Sequence, residues 1–123
     1  NNPREAISRL ENMIAMGGFN MPAKSVREQI ASALSVIIQT QRLRDGTRKV
    51  THVTEVIGME GEAVTLQDLF VYDFDGEQKD SRVRGEHRVT GLRPSFWERA
   101  KYFGHELELA EALHDVTPKE VKF

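Results

Sequence analysis

The sequence predicts an α+β domain made of two amphipathic helices, an antiparallel meander of strands and two short C-terminal helices. Three observations support this class. Apolar residues recur at helical spacing before residue 35, β-branched residues separated by tight-turn signals fill residues 36–74, and short apolar segments bounded by proline and glycine return after residue 93. With 123 residues, of which 39% are hydrophobic and 29% charged, the chain has the size and composition of one soluble domain.

The two N-terminal helices are predicted from their start and stop signals. In NNPREAISRLENM, Asn2 suits the N-cap, Pro3 the first helical position and Glu5 a capping box, and the glycine pair at 17–18 ends the helix. Its apolar residues are predicted to share one face: Ala6, Ile7, Leu10, Met13 and Ile14. A second helix is expected to begin near Pro22. Its predicted inner face is Ala23, Val26, Ile30, Ala33 and Leu34.

Three strands follow, because the apolar pattern changes to β-branched runs. They are VIIQTQRL (36–43), RKVTHVTEVIGM (48–59) and VTLQDLFVYDF (64–74). Asp45-Gly46 and a turn around Glu60-Gly61 separate them and predict an antiparallel meander. In the third run, alternation predicts that one face is shared by Val64, Leu66, Phe70, Tyr72 and Phe74, with Asp68 as the exception.

The C-terminal part is predicted to return to helix. Residues 75–91 are expected to form a loop or a ragged hairpin with strands that include Ser81–Arg84 and His87–Val89. PSFWERAKYF then predicts a short helix between Pro94 and Gly104, and HELELAEALH (105–114) predicts another. Their predicted apolar residues are Phe96, Trp97, Ala100, Phe103, Leu107, Leu109, Ala110 and Leu113. Residues 115–123 are expected to form a flexible tail.

The composition argues against several kinds of chemistry. The chain has no cysteine, no glycine-rich phosphate loop and no nucleophile-elbow serine. Its four histidines, at 52, 87, 105 and 114, do not have metal-ligand spacing. No catalytic or metal-binding residue is therefore assigned. A net charge of −2 and the absence of interleaved aromatic residues predict no nucleic-acid partner, and no apolar run is long enough for a transmembrane segment.

The basic cluster around Asp45-Gly46 is the clearest candidate for binding. Arg42, Arg44, Arg48 and Lys49 surround this predicted turn. Guanidinium groups at an exposed turn suit phosphate or the carboxylates of a neighbouring subunit. A solvated turn without a ligand is the alternative, and the residues alone leave both open.

Four stretches together resemble one family. They are NNPREAISRLENM, MPAKSVREQIASALSVIIQTQRLRDGTRKVTHVTEVIGMEG, VTLQDLFVYD and TGLRPSFWERAKYFG. In this order they resemble the C-terminal end of the CpaF-type ATPases, the branch of the type II/IV secretion ATPases that drives Tad/Flp pilus assembly. The resemblance covers residues 1 to about 104.

The resemblance implies that residues 1–123 are a single C-terminal fragment of an α/β, RecA-like ATPase domain, and that this fragment is α+β on its own. Asn1 to Ala6 match the element that follows the family's His box, with Asn1 as the last His-box position. The Walker A loop, Asp box, Walker B motif and His-box histidine have no counterpart in the chain, so it is expected to be inactive alone. ATP and Mg would belong to the intact protein, and the first helix, Pro3 to Met16, would couple His-box movement to the outer part.

The resemblance also implies a setting and partners. The intact protein would be a cytoplasmic hexamer, peripheral to the inner membrane, that couples ATP hydrolysis to protein secretion or pilus assembly. Its partners would be the adjacent subunits of the homohexameric ring and the inner-membrane platform proteins. Nucleotide or intersubunit contact is expected of Arg42, Arg44, Arg48, Arg9 and Arg27. The alternative is a free-standing interaction module without an enzymatic parent, which docks a partner through Phe96, Trp97 and Phe103.

Overall fold

The structure is a computed structural model that describes residues 2–18, 20–74 and 85–114. Its described strands form one antiparallel sheet in the order β1-β2-β3-β4, with bounds β1 Val36–Arg42, β2 Arg48–Glu60, β3 Ala63–Phe74 and β4 Gly85–Val89. The described helices are α1 Pro3–Met16, α2 Ala23–Ala33, α3 Trp97–Tyr102 and α4 Glu106–Ala112. The predicted α+β class is therefore confirmed, with its two helices, antiparallel meander and two short C-terminal helices.

Helix α1 begins and ends as its sequence predicts. The Asn2 side chain accepts a hydrogen bond from the Glu5 backbone N–H at 3.0 Å, and Pro3 opens the helix. At the other end, Gly18 adopts φ +83°, a conformation that costs glycine least. Local chemistry is thus enough to define this helix.

Only part of the predicted apolar face of α1 is buried. Ile7 is buried and Ile14 is half-buried against the core, but Leu10 and Met13 are 36% and 64% exposed. Helical spacing shows only that these residues share a face, and the described elements cover one edge of it. Leu10 and Met13 thus belong to the predicted apolar face but lie outside the core.

Helix α2 provides the second half of the helical layer. Val26 and Ile30 are buried and Leu34 is half-buried, whereas Ala23 and Ala33, also predicted to be inner residues, are exposed. The core cluster joins both helices to the two central strands and consists of Ile7, Val26, Ile30, Val56 and Val64.

A bulge in β3 changes the predicted alternation. Val53 pairs with Phe70 and the next residue of β2, Thr54, pairs with Asp68, so Leu69 has no partner on β2. Residues on the two sides of the bulge consequently follow different alternations, and Leu69 is buried. Val53 and Val56 are three residues apart on β2 and therefore lie on opposite faces of the sheet. Their partners on β3, Phe70 and Leu66, consequently lie on opposite faces as well. The predicted shared face is therefore wrong beyond Leu66, for Phe70, Tyr72 and Phe74.

The C-terminal region is joined to the sheet by β4 and by the segment before α3. Strand β4 contains the predicted segment His87–Val89 and pairs with β3, whereas Ser81–Arg84 and the tail 115–123 lie outside the described residues. Two side chains predicted to be on the apolar faces of the last helices, Phe103 and Leu107, are 65% and 75% exposed. These two apolar side chains therefore lie on the surface.

Candidate functional site

The turn between β1 and β2 has a closely defined backbone. The Leu43 N–H donates to the Thr47 carbonyl at 2.7 Å, and the Gly46 N–H donates to the Leu43 carbonyl at 2.9 Å. Asp45 accepts bonds from the Thr47 N–H at 3.0 Å and from its hydroxyl at 2.7 Å, while Gly46 adopts φ +88°. The predicted tight turn is confirmed, and it fixes the directions in which the flanking arginines leave the sheet.

Three of the predicted arginines meet at this turn. Arg42 and Arg48 are direct cross-strand partners, and Arg44 lies within the turn, with all three exposed. Like charges that face each other across an antiparallel pair destabilise it. Among the described residues, none of these arginines forms an ion pair. The turn therefore concentrates three exposed guanidinium groups that have no ion-pair partner among the described residues.

Apolar side chains lie beside these arginines on the same face of the sheet. Alternation along β1 places Ile38 and Arg42 on one face, and the register adds Val50, which pairs with Thr40. Ile38 is 63% exposed and Val50 is 37% exposed. We call this region, which joins cations to apolar groups, the tip surface: Ile38, Arg42, Arg44, Arg48 and Val50.

Lys49 is positioned differently from its arginine neighbours. Its ammonium lies 5.9 Å from the centre of the Tyr72 ring, within range of a cation–π interaction, and the residue is half-buried. The fourth cation of the predicted cluster is therefore directed along the sheet.

Arg27 has internal partners. Its Nε donates to Glu11 at 2.9 Å and its Nη1 donates to the Glu62 carbonyl at 3.1 Å. The hydrogen bond to Glu11, together with the charge of that carboxylate, raises the pKa of Arg27. Arg27 thus joins α1, α2 and the β2–β3 turn, at the end of β2 opposite Arg48.

The predicted arginines therefore do not form one site. Arg42, Arg44 and Arg48 are brought together, whereas Arg27 occupies the groove between α1 and α2 that Arg4 also lines. Arg9 is exposed on α1. Neither Arg9 nor Arg27 lies at the β1–β2 turn.

Sequence reasoning missed a buried carboxylate in the middle of β2. Glu55 is only 2% exposed, and it lies opposite Gln67, whose side-chain amide donates to it at 2.6 Å. The backbone N–H of Ser95 lies 2.9 and 3.0 Å from the two carboxylate oxygens, and the Ser95 hydroxyl donates to the same carboxylate. Gln67 also donates to the Arg93 carbonyl at 3.2 Å. Together these bonds attach the segment before α3 to the sheet.

The hydrogen bonds keep Glu55 ionised. Burial by itself would raise the pKa of this carboxyl group, but the donors from Ser95, Gln67 and the Phe96 backbone outweigh burial and lower the pKa. One signal was present in the sequence. An acidic residue stands within the apolar and β-branched run VTEVI, where a solvated acid is out of place.

The histidines occupy separate places. His87 lies with Nε2 2.8 Å from the Val50 carbonyl, His52 contacts the Thr51 hydroxyl, and His105 lies 3.1 Å from Glu108. Across residues 2–18, 20–74 and 85–114, no group of three or more histidine or acidic side chains has a geometry that would hold a metal ion. No helix in the described part combines the length and apolar character needed to cross a bilayer.

Helix α1 carries a second exposed apolar region. Leu10, Met13 and Met16 lie outside the core, and Met16 is 85% exposed. We call these three residues the α1 flank. An apolar strip of this kind on an otherwise packed helix is typical of a surface that another element covers.

The described geometry thus offers a basic tip, an apolar α1 flank and a buried carboxylate that fixes the C-terminal segment. Comparison of the chain with models of known protein families gives no match, and comparison with curated proteins gives none either.

Proposed function

We propose that this chain is the C-terminal part of a hexameric, CpaF-type secretion ATPase that couples ATP hydrolysis to protein secretion or pilus assembly. In this proposal the intact protein carries a RecA-like domain, binds ATP and Mg, and works in the cytoplasm at the inner membrane. It contacts adjacent subunits of the ring and the pilus platform. The present chain has a structural and coupling role.

The collinear resemblance of four stretches carries this proposal, and their packing supports it. The five residues of the core cluster all come from the first three stretches. The fourth stretch contributes Ser95, which the second stretch holds through Glu55. The stretches that resemble the family are therefore also the parts that hold each other in place.

The coupling role of α1 is supported by its attachment to the rest of the chain. Arg4 donates to the Val64 carbonyl at 3.0 Å, Glu11 pairs with Arg27, and Ile7 is buried in the core. These contacts would make α1 move together with the sheet. The α1 flank, which stays exposed, suits contact with the ATP-binding part of the intact protein.

The coding sequence upstream of Asn1 gives the first test. A phosphate loop, a Walker B acid and a His box in frame there are the expected result. A start codon immediately before Asn1 would contradict the proposal, as would ATP hydrolysis with magnesium by the purified 123-residue chain.

A second test separates coupling from stability. We expect M13K/M16K to leave the melting temperature of the chain nearly unchanged, because both side chains are exposed, but to lower the ATPase rate per folded molecule of the intact protein. N12K, which places one lysine at an exposed polar position of α1, is the control. An unchanged rate in the double variant would remove the coupling role.

A free-standing interaction module is the second candidate. Phe103 and Tyr102 are exposed next to each other with ring centroids 5.0 Å apart, whereas Trp97 is half-buried with the Arg93 guanidinium 4.4 Å from its ring centre. The exposed pair favours docking of a partner there. The same upstream sequence discriminates, since this candidate expects no ATPase motifs.

A further inference from the structure

The charges of the chain are distributed unevenly. Residues 42–49 contain four basic and one acidic side chain, so this turn carries +3 within a chain whose net charge is −2. Helix α4, ELELAEA, carries three glutamates and no basic residue. The chain thus has one strongly positive turn and one strongly negative helix.

The tip and the segment that leads into α3 and α4 lie apart along the sheet. The tip follows the Arg42–Arg48 pair, whereas the segment that leads into α3 and α4 is held at Glu55, which pairs with Val36. The six residues of β1 between Val36 and Arg42 span roughly 20 Å at the usual strand rise. One copy therefore presents opposite charges at two ends and cannot satisfy both from its own described side chains.

Both ends combine charge with exposed apolar groups. On the tip surface, Ile38 and Val50 accompany the arginines. In the other region, Leu107 and Phe103 are exposed near two exposed glutamates. We call this second region the α4 surface: Phe103, Leu107, Glu108 and Glu111.

We propose that the tip surface binds the α4 surface of a second copy of this chain, head to tail. Arg44 and Arg48 of one copy pair with Glu108 and Glu111 of the next, while Ile38 meets Leu107. The two surfaces differ, so the contact is heterologous, and such contacts generate rings or open filaments. This inference rests on the proposed function in one respect: it takes the head-to-tail contact to be the one that joins neighbouring subunits of the ring.

The apolar residues favour a protein partner over a small anion. Phosphate would use the three guanidinium groups but would gain nothing from Ile38 and Val50. A second copy offers carboxylates and apolar side chains together, which matches both halves of the tip surface.

Disulfide cross-linking tests the contact directly, because the chain contains no cysteine. T40C lies next to the tip surface and A112C lies at the end of α4, both at exposed positions. A mixture of these two variants is expected to form covalent dimers about tenfold faster than a mixture of T40C with N12C, whose cysteine lies on α1. Equal rates in the two mixtures would overturn the proposal.

Charge reversal provides the second arm. Each exposed ion pair changes association by up to about fivefold, so R44E/R48E in the T40C chain should slow cross-linking by about tenfold. Adding E108R/E111R to the A112C chain should restore it, and circular dichroism checks that each variant is folded. Reversal without effect, or without rescue, contradicts the contact.

The remaining outcomes also decide the matter. The proposal is overturned if inorganic phosphate saturates the tip in a titration and the mixture of T40C with A112C cross-links no faster than the control mixture. The arginines would then be assigned to a free anion. ATPase motifs upstream together with failed cross-linking would keep the proposed function and discard this contact. Successful cross-linking without those motifs would keep this contact and discard the proposed function.

Discussion

Glu55→Gln is the most informative single substitution in the fold. The carboxylate accepts bonds from the Ser95 N–H, the Ser95 hydroxyl and the Gln67 amide. Glutamine has nearly the same shape, but one of its two acceptors becomes an N–H₂ group that faces a donor. Leaving a buried donor unpaired costs about 1–3 kcal/mol, and bonds to a charged acceptor are at the upper end of the range. We therefore expect a loss of about 2–3 kcal/mol.

Thermal unfolding followed by circular dichroism measures this loss. For a domain of this size, about 2–3 kcal/mol corresponds to a fall of roughly 8–12 °C in melting temperature. Glu60→Gln is the matched control, since it removes the same charge from an exposed position on β2 and should change stability by less than about 0.5 kcal/mol. If the two variants have the same melting temperature, Glu55 does not fix the C-terminal segment.

The pH dependence of stability gives an independent measure of the same carboxylate. Because the folded-state pKa of Glu55 is lowered, its contribution is fully present above the ordinary carboxyl pKa of about 4.3. The contribution is lost as the pH falls through the lower folded-state value. The difference in unfolding free energy between E55Q and the unmodified chain should therefore become smaller below pH 4. A difference that stays constant down to pH 2 would contradict the ionised state of Glu55.

The remaining predictions concern the core, the tip and the last strand. I7A should cost about 2–5 kcal/mol because Ile7 is 3% exposed, whereas M13A on the same helix should cost less than about 0.5 kcal/mol, as urea titration will show. R42E should stabilise the hairpin by about 0.2–1 kcal/mol in low salt by replacing a like-charge cross-strand pair, and a lower melting temperature would contradict the register. G85A should separate β4 from β3, since a Cβ there would lie 2.0 Å from the Asp73 carbonyl oxygen; unchanged amide exchange protection of β4 would contradict this.

The parts of the fold that could be predicted are those set by local chemistry. The start of α1 depends on Asn2 and its near neighbours, and the β1–β2 turn depends on Asp45 and Gly46, so both could be read from short segments. The clustering of three arginines followed in the same way, because a tight turn brings residues 42–48 together.

The parts that could not be predicted depend on contacts between distant residues. The bulge at Leu69 arises from how β3 pairs with β2, and alternation in one strand carries no information about its partner. Ser95 and Glu55 are forty residues apart in the chain, and neither belongs to a motif. The partners of Arg27 are likewise distant, at 16 and 35 residues.

The buried carboxylate and the exposed surfaces have one physical explanation under the proposals made above. An apolar pair in place of Glu55 and Gln67 would avoid the cost of burying a charge, but apolar contacts allow sliding. The bonds from Ser95 to Glu55 and from Gln67 to the Arg93 carbonyl are directed, and they fix the orientation of the segment before α3. That orientation sets where α4 lies relative to the tip. A subunit that binds its neighbours at these two ends transmits movement only if their separation is fixed, so the proposed head-to-tail contact requires a rigid link at Glu55.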